Sequence, residues 1–499
     1  VGSGKGGLQK MLFNSYVFLL AFLPLTWLCY FGLNKLGWFE LGKVSLIAAS
    51  FLFYGYGDPK LCLLLAGSIL GNYFFHCILV RDGEGRTWRK TIMILAVSAN
   101  FLLLFYFKYL DFTIRNINFL TGSEIGLKHV ILPLGISFYT FQQVSFVIDS
   151  YHRQMSRYSF IDYALFVSFF PQLVAGPIVL HQEMIPQFAV PEKKKVCFGN
   201  ITAGLEYLIW GLAKKVILAD AFGRFSDVGF GAVRNLSSLS AVAVMLSYTL
   251  EIYFDFSGYC DMAIGLGKLF NIEIPMNFNS PYKAVNISQF WKRWHITLTR
   301  FLTTYLYIPL GGSRVKTWKL YRNIMIVFTL SGLWHGADWT FVVWGMMHGV
   351  MMVLYRMKKE KFDKLPSFVG WLITFLFVNV AWLFFRADNF LEPLKLIYMM
   401  IFGGSGGFGK ELTEVFCEKD TLLVLLGHFL TEEVLKVLSQ LVTTLWFAGA
   451  LLICTLCPST HEMVAKKNRN ILYFVWLALL FTASILQLSQ VSKFIYFNF

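Results

Sequence analysis

NISQFWKRWHITLTRFLTTYLYIPLGGSRVKTWKLYRNIMIVFTLSGLWHGADWTFVVWGMMHG, residues 286–349, is the stretch on which the reading of the fold turns. Two histidines, His295 and His335, sit in long apolar segments, each directly after a tryptophan. A basic, glycine-containing hinge, Pro309 to Tyr321, separates the two segments.

Working outward, the same apolar texture fills the chain. Hydrophobic residues make up 56%, aromatic residues 18% and charged residues only 15%, with a mean hydropathy of +0.58. Ordinary soluble domains carry about a quarter charged residues. Too few charges are present to cover a water-facing globule of 499 residues. Apolar runs recur at 14–33, 60–80, 90–108, 199–221, 336–356, 368–387 and 471–490. Each approaches the roughly 20 residues needed to cross a hydrocarbon core of about 30 Å. Further runs lie at 130–150, 160–180, 238–256, 289–310 and 389–403. The runs 43–57, 322–334 and 442–457 are short, and re-entrant or half-crossing helices are expected there. The fold class is an all-α polytopic membrane protein.

The formal net charge of +15 follows the same pattern. Lys and Arg concentrate between apolar runs, at 81–90, Lys193–Lys195, Arg356–Lys364 and Lys466–Arg469. That is the positive-inside distribution, with contact to anionic lipid, and not a basic groove interleaved with aromatics for nucleic acid. Cys29, Cys62, Cys77 and Cys260 lie within or beside apolar segments, and the Cys454/Cys457 pair has no second pair at zinc spacing. No disulfide framework and no metal site is read. Residues 1–10 read as an expression scar, with Met11 opening the natural chain.

Polar residues inside apolar runs are costly in lipid and mark interior faces. Ser137, Gln142, Gln143, Ser145 and Asp149 crowd residues 132–154. Pro171, Gly176 and Pro177 break any helix in the next segment. Lys214 and Lys215 are expected to snorkel to an interface. Glu251 and Asp255 share one face of a continuous helix, with Asp261 beyond a break at Ser257-Gly258. A proton path, a metal site and interhelical struts all fit these acids, struts best. Trp334 and Trp339 are expected to enclose His335, which is either a proton acceptor or a structural hydrogen-bonder. In a continuous helix Trp291 would share the face of His295, and His348 is read as packing.

Four motifs, FPQLVAGPI (170–178), DFSGYCDMAIGLGKLFNI (255–272), FWKRWHITLTRFLTTYLYIPLGG (290–312) and GLWHGADWTFVVWGMMHG (332–349), resemble the membrane-bound O-acyltransferase (MBOAT) family. They are most similar to its bacterial branch, typified by the alginate O-acetyltransferase membrane subunit; the membrane protein of teichoic-acid D-alanylation is another relative. The resemblance implies a ring of roughly 11–15 transmembrane, re-entrant and interfacial helices around a central tunnel. It divides the chain into N-terminal transmembrane helices (11–127), a catalytic core (128–403), a loop and interfacial helix (404–441), and C-terminal helices with an aromatic tail (442–499). It implies His335 and His295 as the catalytic pair, with Asp255, Gln142 and the three tryptophans as candidate tunnel-lining residues.

The implied reaction takes an acetyl or other short acyl group from a cytosolic acyl-CoA or acyl-carrier-protein thioester. An exported polysaccharide receives it with the help of a periplasmic or extracellular acyltransferase partner, at the bacterial cytoplasmic membrane. No tightly bound cofactor is implied. A hydroxyl needs a base as it attacks a thioester. His335 is assigned that role, and His295 is expected to orient the acyl group or donate to the oxyanion. Lys292 and Arg293 either attract the donor's phosphates or anchor the chain at the interface. Tyr496, in the terminal FIYFNF, either carries the acyl group in cis or anchors the tail. D-alanyl transfer through a carrier protein and, in another class, a proton-coupled transporter built on Glu251, Asp255 and Asp261 stand as alternatives.

Overall fold

A computed structural model describes residues 11–81, 86–153, 157–417, 431–466 and 470–488. Residues 1–10, Lys467, Arg469 and the tail with Tyr496 lie outside the described residues. The described secondary structure is helical, and six of the helices are long and apolar enough to cross a membrane. The chain falls into two compact units that do not follow chain order. One comprises residues 1–208 and 260–276, the other residues 209–259 and 277–499.

In the first unit, helices Lys60–Leu79, Arg86–Leu104, Ile136–Tyr151 and Phe160–Ser168 close around side-chain hydrogen bonds. Asn72 Nδ2 donates to Gln143 Oε1 at 2.8 Å, and Asn100 Nδ2 donates to Asn72 Oδ1 at 2.6 Å. Tyr163 donates to Gln143 Oε1 at 3.0 Å, and Gln143 Nε2 to Ser68 Oγ at 2.9 Å. Polar atoms crowd Ile136–Tyr151 because they face neighbouring helices that supply partners. Gly135 precedes that helix at φ +72, where a Cβ would come 2.6 Å from the Leu173 carbonyl. Only glycine fits so close a left-handed turn.

The predicted break at Pro171–Pro177 is present. Helix Phe160–Ser168 stops, Phe170–Leu173 makes a single turn, and helix begins again at His181–Ala189. Gln172 Nε2 donates to the Phe166 carbonyl at 2.7 Å, so one acceptor freed at the break is satisfied inside the protein.

Several expectations are corrected. Helix Ser238–Leu269 runs unbroken through Ser257-Gly258. Gly258 instead gives close approach, since a Cβ there would lie 2.8 Å from the Gly211 carbonyl. Lys215 does not snorkel: it is buried, 2.6 Å from Asp255 and 2.9 Å from Asp220. A pair of carboxylates supplied within the protein removes the reason to reach for water. The run read as 322–334 is a longer helix, Thr317–His335, because the last residues of the expected hinge, Thr317–Tyr321, join its first turns. The interfacial helix expected within 404–441 and the run 442–457 are not separate over their described part: Glu432–Thr455 is one helix.

Candidate active site

Helices Thr317–His335 and Trp339–Met357 of the second unit form a tight hairpin. Gly332 and Gly345 sit at their crossing, where a Cβ on either would collide with backbone of the facing helix. Small residues let membrane helices approach this closely. Asp338 caps the second helix, its side chain accepting from the Thr340 amide. The hairpin puts His335, the last residue of the first helix, against Trp344 of the second, with ring centroids 5.2 Å apart and planes at 90°. Phe385 completes this wall at 5.2 Å from the His335 ring.

His295 arrives from a different local structure. Helix Ile287–Trp291 ends, residues 292–295 turn, and helix Ile296–Leu302 follows. His295 itself is left-handed at φ 46, ψ 52. For a side chain that is not glycine, such a conformation costs on the order of 1–3 kcal/mol and persists only where its surroundings enforce it. Here they do. The Ile296 amide donates to the Asn277 carbonyl at 3.0 Å, and the Asn279 amide donates to the Arg293 carbonyl at 3.0 Å. Arg293 Nη1 returns a hydrogen bond to the Asn279 carbonyl at 3.1 Å.

The result is two buried imidazoles side by side, His295 and His335, with centroids 6.1 Å apart and planes at 58°. Phe256 lies edge-on to His295 at 4.9 Å, and Trp334 stands 6.2 Å from it. His295 Nδ1 lies 3.2 Å from Asn277 Oδ1, while its Nε2 has no hydrogen-bond partner among the described residues. Two nitrogen bases in an apolar aromatic enclosure are suited to moving a proton with little competition from water.

The other predicted residues are placed as follows. Trp334 is buried beside both histidines. Trp339 does not enclose His335: it is 51% exposed, because the helix it opens turns that position outward. Trp291 does not share the face of His295, because the chain between them is not a continuous helix. Its indole Nε1 donates instead to His348 Nδ1 at 3.3 Å, in an aromatic cluster with Trp344 and Phe328. Asp255 is paired with Lys215. Gln142 is buried in the first unit. Lys292 is exposed, and Arg293 is engaged with the backbone of Asn279.

Phe256, Asn277, Trp344 and Phe385 are neighbours of the pair that linear reading missed. For Trp344 a signal existed: the HGAD turn reverses the chain directly after His335, so a residue two turns into the next helix can face it. Asn277, one of two amides in IPMNFNSPY, gave only its polarity.

Residues 51–391 match the profile of MBOAT, the membrane-bound O-acyltransferase family. A peptidoglycan O-acetyltransferase of Helicobacter pylori is 45% identical over 421 residues, covering 78% of this chain and 80% of that protein. A probable alginate O-acetylase, AlgI, of Pseudomonas aeruginosa is 37% identical over 401 residues, covering 79% and 76%. A teichoic acid D-alanyltransferase of Bacillus subtilis is 27% identical over 279 residues, covering 52% and 70%. The chain belongs to the membrane-bound O-acyltransferase family, and is a multi-pass membrane protein and an O-acyltransferase.

Proposed function

We propose that this protein moves an acetyl group from a cytosolic thioester, acetyl-coenzyme A or an acetylated carrier protein, for O-acetylation of a cell-surface glycan at the bacterial cytoplasmic membrane. The observation that carries the reading is the buried His295–His335 pair, 6.1 Å apart inside an aromatic wall. The acetyl assignment is supported by the two relatives named as an O-acetyltransferase and a probable O-acetylase, both above 35% identity. The D-alanyltransferase relatives are more distant and cover about half of the chain.

In the reaction, the acceptor hydroxyl attacks the thioester carbonyl as His335 takes its proton. The tetrahedral oxyanion collapses, the C–S bond breaks, and the imidazolium returns the proton to the leaving thiolate. Atoms and charge balance: an ester and a free thiol replace a thioester and an alcohol. A periplasmic or extracellular acyltransferase that completes delivery to the polysaccharide is part of the proposal. The transporter alternative loses support, because Asp255 is bound to Lys215.

Replacing His335 with Ala tests the reading. Base-released acetate from surface glycans of cells dependent on this protein is expected to fall to background, with the protein retained in the membrane at normal abundance. Unchanged acetate at normal abundance would overturn the role of His335.

A further inference from the structure

We propose that Asn277 is a positioning residue for the transfer: it holds His295 as the Nδ1–H tautomer, so that His295 enters the reaction as a hydrogen-bond acceptor through Nε2. The inference rests on the histidine-pair reading above and deepens it.

The amide orientation of Asn277 follows from its partners. Its Oδ1 lies 3.1 Å from the backbone nitrogen of Thr297 and 3.0 Å from Thr297 Oγ1. A backbone N–H only donates, so the atom facing it is the oxygen and not the amide nitrogen. The same oxygen faces His295 Nδ1 at 3.2 Å. An amide oxygen only accepts, so Nδ1 carries the hydrogen. In a neutral imidazole the other nitrogen then holds the lone pair. That nitrogen, Nε2, is buried and has no partner among the described residues.

Backbone and side chain act together. The Asn277 carbonyl accepts from the Ile296 amide at 3.0 Å, so one residue fixes both the left-handed turn of His295 and its ring. The consequence alters the role expected from the sequence. Neutral His295 cannot donate to a developing oxyanion through Nε2. It accepts, sharing the hydrogen of the incoming hydroxyl with His335, and the proton leaves with His335. A buried base oriented by a third group that fixes its tautomer is a recurrent solution, and the wrong tautomer elsewhere costs as much as about 10⁴-fold in rate.

The test uses full-length protein in lipid vesicles, with ¹⁵N-histidine labelling and radiolabelled acetyl-coenzyme A as donor probe. The His295 signals, assigned by their loss in His295→Gln, are expected to report protonated Nδ1 and unprotonated Nε2. Asn277→Ala is expected to mix the tautomers and lower kcat at least about tenfold, with KM changed less than threefold. Asn277→Asp keeps the acceptor oxygens. It is expected to retain the tautomer and most of the rate, and to move the acidic limb of the rate profile to higher pH, since a carboxylate favours the charged imidazole. A protonated Nε2 in the unaltered protein would overturn the proposal. So would coincident pH profiles for the Ala and Asp variants, the result of a purely structural Asn277. Neither outcome bears on whether His335→Ala abolishes transfer, so the two readings fail separately.

Discussion

His181 and His295 are both fully buried imidazoles, and the protein treats them in opposite ways. In the first unit, His181 Nε2 faces Asp149 Oδ2 at 3.0 Å and its Nδ1 faces the Tyr158 hydroxyl at 3.4 Å. Both nitrogens are used. In the second unit, His295 has Nδ1 tied to Asn277 and Nε2 open among the described residues. The first arrangement gains stability from satisfied polar groups. The second leaves hydrogen-bonding capacity unspent at a cost on the order of 1–3 kcal/mol, and adds a left-handed backbone. His76 and His348 likewise keep Nε2 open among the described residues, so the open nitrogen assigns no role alone; at His295 it lies beside His335, where the proposed substrate hydroxyl would supply the partner. Burial and residue type are therefore the same for His181 and His295; what differs is whether the second nitrogen has a partner.

Substitutions can break this contrast. The largest effect is expected at the open site: His295→Gln should lower acetyl transfer by about 10²–10⁴-fold while the melting temperature in detergent stays within a few degrees of the parent. Loss of folding in place of activity would erase the distinction. Asp149→Leu should do the reverse. Leaving a buried polar group unpaired costs about 1–3 kcal/mol, so the melting temperature should fall while the rate per folded molecule is kept. A rate loss with unchanged melting would move His181 into the functional class. The smallest effect is expected within the amide network. Asn72→Leu should cost about 1 kcal/mol, because interhelical hydrogen bonds in membranes average only about 0.6 kcal/mol and the displaced groups find other partners. Thermal unfolding followed by tryptophan fluorescence would measure it.

The second unit also shows what polar residues do when they are struts. Asp255 and Lys215 neutralise each other at 2.6 Å. Thr249 Oγ1 donates to Asn379 Oδ1 at 2.5 Å, and Tyr282 donates to the Thr249 carbonyl at 2.8 Å. Glu251 packs where a Cβ on Gly223 would come 2.8 Å from its Oε1, so a glycine makes room for the acid. The sequence placed Glu251 and Asp255 on one face of a helix correctly. That spacing alone did not say that a lysine from another helix would meet Asp255, since the lysine read equally well as a snorkelling residue.

Much of the fold was legible in order along the chain. Apolar runs and the Pro171–Pro177 break are local features, and local composition sets them, whereas the hinge expected over Pro309–Tyr321 gives way to helix from Thr317. The errors share one cause. Ser257-Gly258 looked like a break because Gly and Ser lower helix propensity, yet lipid and packing penalise an open backbone far more than propensity favours one. Residues 289–310 looked like one helix because they are apolar, yet hydrogen bonds from a segment earlier in the chain, Asn277 and Asn279, hold the turn at 292–295.

Composition and run length were enough to identify a helical membrane protein, and short motifs singled out His295 and His335. Those conclusions need only composition, run length and the resemblance of short segments. Packing of the helices settles which aromatic side chains surround the pair, turns Trp339 outward and Trp344 toward His335, and brings Asn277 to His295. Hydrogen bonds and ring contacts are short-ranged, and they join residues far apart in the chain. Their partners exist only once the helices have packed.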